Sequence, residues 1–112
     1  MNVFHYSAIK TEKVEGAFKT KVRWLITKEI GAPNFAMRIF ELESGGYSPL
    51  HKHPWEHEAF ILDGEGKMFD GEKSIPFKSG DVVFIPSNEM HQFKNSGKEL
   101  VRFICLIPYA KE

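Results

Sequence analysis

The feature that most restricts this chain is its punctuation. From Lys21 onward, short runs rich in Val, Ile and Phe are broken by Gly, Pro, Asn and Asp at intervals of about 8–12 residues. The runs are KVRWLITKE, FAMRIFELE, HEAFILDGEG, KMFDGEKSIPF, KSGDVVFIPSNE, HQFKNSGKE and LVRFICLIP, with a GAPN turn after the first and ESGGYSP after the second. β-Branched and aromatic residues suit a pleated, half-buried surface, and turn residues at this density leave little room for helices. No window of helical length carries an i, i+3, i+4, i+7 apolar stripe, so any helix is short and peripheral. The pattern predicts an all-β sandwich or barrel over residues 21–112. Residues 1–20, whose charges at Lys10, Glu12, Lys13, Glu15 and Lys19 alternate in sign, read as a solvated arm or edge strand. DGEG and NSGK read as hairpin-type turns, and Pro86 marks where the run opened by Gly80-Asp81 leaves the sheet.

The 112 residues leave no room for a second domain of ordinary size, and 42% hydrophobic residues with ten Phe can fill one core. Fifteen Lys and Arg balance fifteen Asp and Glu. Nucleic-acid binders carry a basic excess or stripe, so no such partner is expected. A neutral chain near its isoelectric point needs another solubility device, and burying a face in a homodimer is one. The single Cys105 cannot form an intrachain disulfide. The start MNVFHYSAIK lacks the basic and apolar regions of a signal peptide, and no apolar run approaches the about 18 residues of a membrane span. The expectation is a cytoplasmic protein with no membrane partner.

Chemistry concentrates in the histidines, four of whose five fall between residues 51 and 91. In extended chain, His51 and His53 point the same way with Lys52 opposite, and Pro54 pushes His53 toward extended backbone angles. Two imidazoles at i, i+2 on one face can chelate a metal. A third ligand must come from a few residues on, and either His57 or Glu58 could supply it. They cannot both do so from one strand face, because they are adjacent. After Gly80 and Pro86, His91 opens another strand, and if that strand pairs beside the His51-Lys52-His53 segment it completes the cluster.

These residues resemble a family. Gly45, then His51-x-His53, Glu58 and Gly64 look like the first cupin motif. Gly80, Pro86, Asn88, His91 and Asn95 look like the second, with Asn88 standing where the pattern usually has Gly. The resemblance implies a double-stranded β-helix, or jelly-roll, barrel completed by strands over 21–42 and 100–107. The run HKHPWEHE and the ending FICLIP further resemble small single-domain cupins that hold manganese with four histidines. That resemblance carries the ligands over to His51, His53, His57 and His91, whereas the general cupin pattern places Glu58 third. Four neutral imidazoles leave a divalent ion at net +2, and imidazole suits Mn, Fe, Ni, Cu and Zn alike, with Mn the expected ion.

By the same resemblance Phe103, Cys105 and Ile107 face the barrel interior, Cys105 as a small buried group rather than a ligand. Arg38 shares a face with Ala36, Phe40 and Leu42, either as a barrel-end residue or as an internal anion-binding group, and if buried it calls for a carboxylate such as Glu58. Phe93, two residues past His91, is expected to line the pocket. Trp55 is expected at the rim or a dimer contact. The function implied is a metal-dependent oxidoreductase of the dioxygenase type on a small organic substrate. The alternatives are a redox-neutral isomerase or lyase and a non-catalytic small-molecule-binding domain.

Overall fold

The computed structural model describes residues 1–109. Nine strands carry the described chain: β1 (Glu12–Lys13), β2 (Phe18–Ile26), β3 (Phe35–Tyr47), β4 (His57–Asp63), β5 (Glu65–Phe69), β6 (Ser74–Lys78), β7 (Val82–Ile85), β8 (Gln92–Lys94) and β9 (Val101–Pro108). The only helical pieces among the described residues are two single 3₁₀ turns, Tyr6–Ala8 and Lys28–Ile30. The all-β jelly-roll expectation therefore holds, and β2 begins at Phe18, a few residues before the expected start of the barrel.

The pivot is β3. Its first part, from Phe35 to Leu42, pairs antiparallel with β2 on one side and β9 on the other. From β9 the sheet continues through β4 to β7. Its far end, at Tyr47, keeps a β2 partner in Phe18 but takes Lys94 of β8 in place of β9, and the sheet continues through β5 to β6. Gly45 and Gly46 let one strand serve both halves. Gly45 sits at φ 82°, and a Cβ on Gly46 would meet the carbonyl oxygens of Lys19, Phe18 and Glu43 at 2.8–2.9 Å.

The sheet curls around one core. Phe77 of β6 and Ile85 of β7, from opposite ends of the strand order, belong to the same buried cluster as Leu42, Ile61, Val101 and Phe103. Phe103 stacks against Phe40 on one side and Phe93 on the other, at centroid distances of 5.1 and 3.9 Å. The arm is partly recruited. β1 pairs with β2, and Val14 packs against the core.

Two turn assignments need correction. The DGEG segment joins β4 to β5, but β4 pairs with β7 and β9 while β5 pairs with β6 and β8. The NSGK segment joins β8 to β9, which flank β3 rather than each other. Both are crossings between the sheet halves. The tight hairpin is at residues 70–73, between β5 and β6, where the Asp70 carboxylate accepts the backbone N–H groups of Glu72 and Lys73 at 2.8 and 2.6 Å. Turn chemistry marks where the chain bends, and tertiary pairing decides which strands meet.

Candidate metal centre

Pairing of the segment after β3 with the start of β8 builds the site. Ser48 receives the first clamp: its N–H donates to the Phe93 carbonyl at 2.9 Å, its hydroxyl oxygen accepts from the Phe93 N–H at 2.8 Å, and its carbonyl accepts from the Gln92 side-chain amide at 2.8 Å. Three residues on, His51 and His91 exchange backbone hydrogen bonds in both directions, at 3.1 and 2.9 Å. This pairing sets the two rings beside each other, with centroids 4.9 Å apart.

His53 joins them through the turn that follows β7. The N–H of Asn88 donates to the His53 carbonyl at 2.6 Å. Asn88 sits at φ 65°, which explains the motif's usual glycine, and asparagine is the side chain that best tolerates that conformation. Asn95 has a structural role: its buried amide donates to the Leu42 and Glu99 carbonyls and accepts from Gly97, tying β3 to the approach to β9.

The ligating atoms of His51, His53 and His91 lie within 4.8 Å of one another. The Nε2 atoms of His51 and His53 are 3.2 Å apart. Two imidazole nitrogens bonded to one ion at about 2.1 Å stand about 3.0–3.4 Å apart, so the spacing suits a shared ion. The His91 Nδ1 lies 2.9 Å from the Glu89 carbonyl oxygen, which can only accept, so Nδ1 carries the proton and Nε2 keeps its lone pair.

His57 enters from β4, its ring centroid 4.8 Å from His91 and 5.2 Å from His53. Its Nδ1 lies 3.4 Å from Cys105 Sγ, while its Nε2 is buried without a hydrogen-bond partner. An unpartnered buried nitrogen is costly, and a metal ion is one way to satisfy it. His51, His53 and His91 are thus grouped closely enough to share a divalent transition ion, and the His57 ring stands beside them.

Burial lowers the pKa of all four histidines, and the charge of Arg38 adds to the shift at each. His51 is brought down to about 4 and His57 to about 3. The rings are neutral at physiological pH and need lose no proton to act as ligands.

The cavity holding them has a volume of about 80 Å³ and is walled by Val14, Arg38, Phe40, Phe93, Phe103 and Cys105, with Ser48 and Pro49 at its edge. Arg38, Phe93, Phe103 and Cys105 therefore lie beside the histidines. Glu58 does not. It is exposed on the other face of β4, in a surface cleft with Glu56, Phe35 and Ile107, so the placement of Glu58 and Ile107 in the pocket is corrected. Strand alternation sends Glu58 outward once His57 faces in. Ile107 has the expected parity and packs on the core, but near the strand's end it falls short of the histidine cavity.

Arg38 departs from the expectation of a carboxylate partner. Its Nη2 donates to Cys105 Sγ at 3.1 Å, and its guanidinium lies over the Trp24 and Phe40 rings at 5.2 and 4.8 Å. Cys105 is a buried thiol whose pKa burial pushes up. Trp55 stacks on His53 at 4.4 Å with planes 3° apart, bracing a ligand ring. Ser48 and Val14 carried no local signal, since their place in the wall depends on β8 and on the folding back of the arm.

Comparison with known proteins agrees with this geometry. Residues 38–107 match the family described as Cupin domain. The chain is 34% identical over 113 residues to an oxalate-binding protein of Thermotoga maritima, covering 94% of this chain and 92% of that one. It superposes on the polyketide cyclase RemF of Streptomyces resistomycificus with a TM-score of 0.89 at 32% identity, covering 96% of this chain and 79% of that one. A predicted oxalate decarboxylase of Thermotoga maritima matches with a TM-score of 0.86 at 30% identity, over 97% of this chain and 100% of the other. The two motifs, the curled sheet they close and the matched span of 38–107 place this chain in the cupin family.

Proposed function

We propose that His51, His53, His57 and His91 hold one divalent transition ion, manganese foremost, and that the protein is an oxidoreductase of the dioxygenase type acting on a small organic substrate. The observation that carries this reading is the convergence of four neutral imidazoles on one small apolar cavity, with the His57 Nε2 buried and unpartnered. When bound, the ion supplies Lewis-acid and one-electron chemistry.

The protein's own share is to orient and to exclude. Glu89 and Cys105 occupy the Nδ1 atoms of His91 and His57, fixing which nitrogen faces the site. Phe40, Phe93, Phe103 and Val14 keep the walls dry. Among the described residues no Asp or Glu lines the cavity, and Glu56 and Glu58 open on another surface. A proton-shuttling carboxylate is missing where an isomerase would want one, which favours chemistry carried by the ligand set.

The name of the Thermotoga maritima relative, an oxalate-binding protein, supports a small polar ligand. The polyketide cyclase likeness favours the redox-neutral alternative, and the test separates the two. The single buried thiol suits a cytoplasmic setting. The exposed outer side chains of Phe60, Val82 and Phe84 suit burial in a homodimer.

Metal analysis of the protein as purified, followed by O₂ consumption on phenolics, diketones and alkenes with manganese- or iron-loaded protein, tests the reading. The expected result is one ion per chain and O₂ uptake with at least one class. Loaded protein that consumes no O₂ while isomerising or binding a metabolite overturns the oxidoreductase and leaves the metal centre standing.

A further inference from the structure

Arg38 is a cation placed in an apolar cavity with nothing of opposite charge beside it. It projects from β3 into the wall that also carries Phe40, Phe103 and the four histidines. The ion pairs among the described residues, Arg23 with Glu41 and Arg102 with Asp63, lie elsewhere. Its one hydrogen-bond acceptor is the Cys105 sulfur at 3.1 Å, and its Nε is buried with no partner. The Trp24 and Phe40 rings hold the guanidinium plane but contribute no counter-charge. A guanidinium that is partly buried with no counter-charge gains from a paired anion, and its planar fork matches a carboxylate well.

We propose that Arg38 binds a carboxylate group of the substrate, so that the substrate class is small organic acids of about two or three carbons. The proposal rests on the metal-centre reading for the seat of the rest of the molecule. A divalent ion held by neutral imidazoles adds to the positive charge of Arg38, and the cavity wall offers no protein anion to offset either. A small dianion satisfies both. The cavity is small, about 80 Å³, and opens to solvent on one side, so a two- or three-carbon acid can sit within it while a larger acid extends outward. Arg38 thereby becomes the specificity residue, rejecting the neutral isostere that cannot pair with it.

The test uses zinc-loaded protein, which is diamagnetic, titrated with oxalate by calorimetry and by the Arg38 Nε–H resonance, with metal content measured on the same samples. Wild type is expected to bind oxalate with a saturating shift of that resonance. Affinity should fall tenfold or more in Arg38→Met and recover in part in Arg38→Lys, and the neutral isostere oxamide should bind at least tenfold more weakly than oxalate. No oxalate binding by wild type, an unmoved Arg38 resonance at saturation, or a loss under tenfold in Arg38→Met overturns the proposal. If Arg38→Met fails to fold, the wild-type resonance and the oxamide comparison decide it. Failure of the metal reading appears separately, as wild-type protein that retains no zinc. The same titration on that protein then reads Arg38 alone.

Discussion

His57 and Glu58 are neighbours on β4, yet one lies against the His53 and His91 imidazoles and the other faces solvent in a shallow cleft. The same division runs across the sheet. The inner positions of β4 and β9, Ala59, Ile61, Phe103 and Cys105, are all buried. The outer positions Phe60, Val82 and Phe84 are 45%, 76% and 58% exposed. Composition does not separate the faces, since both are rich in large apolar groups. Phase does: with a period of two, a register slip of one residue would exchange the ligand for the carboxylate and the core for the surface.

The largest effect should come from breaking the comparison at its chemical centre. His57→Ala is expected to cost more metal affinity than the about 10–100-fold that loss of a supporting partner costs, while Glu58→Ala keeps full metal content. Metal analysis after dialysis against a weak chelator reads both. Metal lost from the Glu58 variant and kept by the His57 variant would show that the third ligand belongs to the outer face.

Next in size is packing. Phe103 is 1% exposed and stacked between two other rings, so Phe103→Ala should cost about 3–5 kcal/mol in urea unfolding. Phe84→Ser on the outer face should leave the stability of the single chain within about 1 kcal/mol, and light scattering should show it monomeric where the homodimer proposed above forms in wild type. If Phe84→Ser destabilises as much as Phe103→Ala, the outer face is not a free surface of the monomer.

Much of this division could be read from the chain before any coordinates. Turn spacing announced the β architecture, and the His51, His53 and His91 spacing announced a cluster that the β3–β8 pairing then assembles. Alternation put Phe103 and Cys105 on one face, and the family resemblance turned that face inward. What alternation left open was its own phase on β4, because a strand's pattern does not say which face the rest of the fold will cover. Nonlocal facts were also out of reach. Ser48 becomes a clamp only when β8 lies beside it, Val14 becomes a wall only when the arm folds back, and DGEG looks the same whether it joins partners or crosses between sheet halves.

The smallest effect is the most graded and belongs to the inner face. In the metal-free protein, His57 and His51 are held neutral to about pH 3 and 4, whereas in the unfolded chain each titrates near 6.5. Below pH 6.5 the unfolded chain takes up protons that the folded one refuses, so this stability is present above pH 6.5 and lost as pH falls toward 4 and then 3. Urea unfolding of chelator-treated protein at steps from pH 7.5 to pH 4 should show that decline, and His57→Gln, which removes one titrating ring from the cavity, should flatten it. Metal-loaded protein should hold its stability to lower pH, since an ion on Nε2 competes with the proton for the same lone pair. An unchanged pH slope in His57→Gln would mean that the decline comes from groups outside the cavity, and the inner face would then differ from the outer in packing and ligation but not in its response to acid.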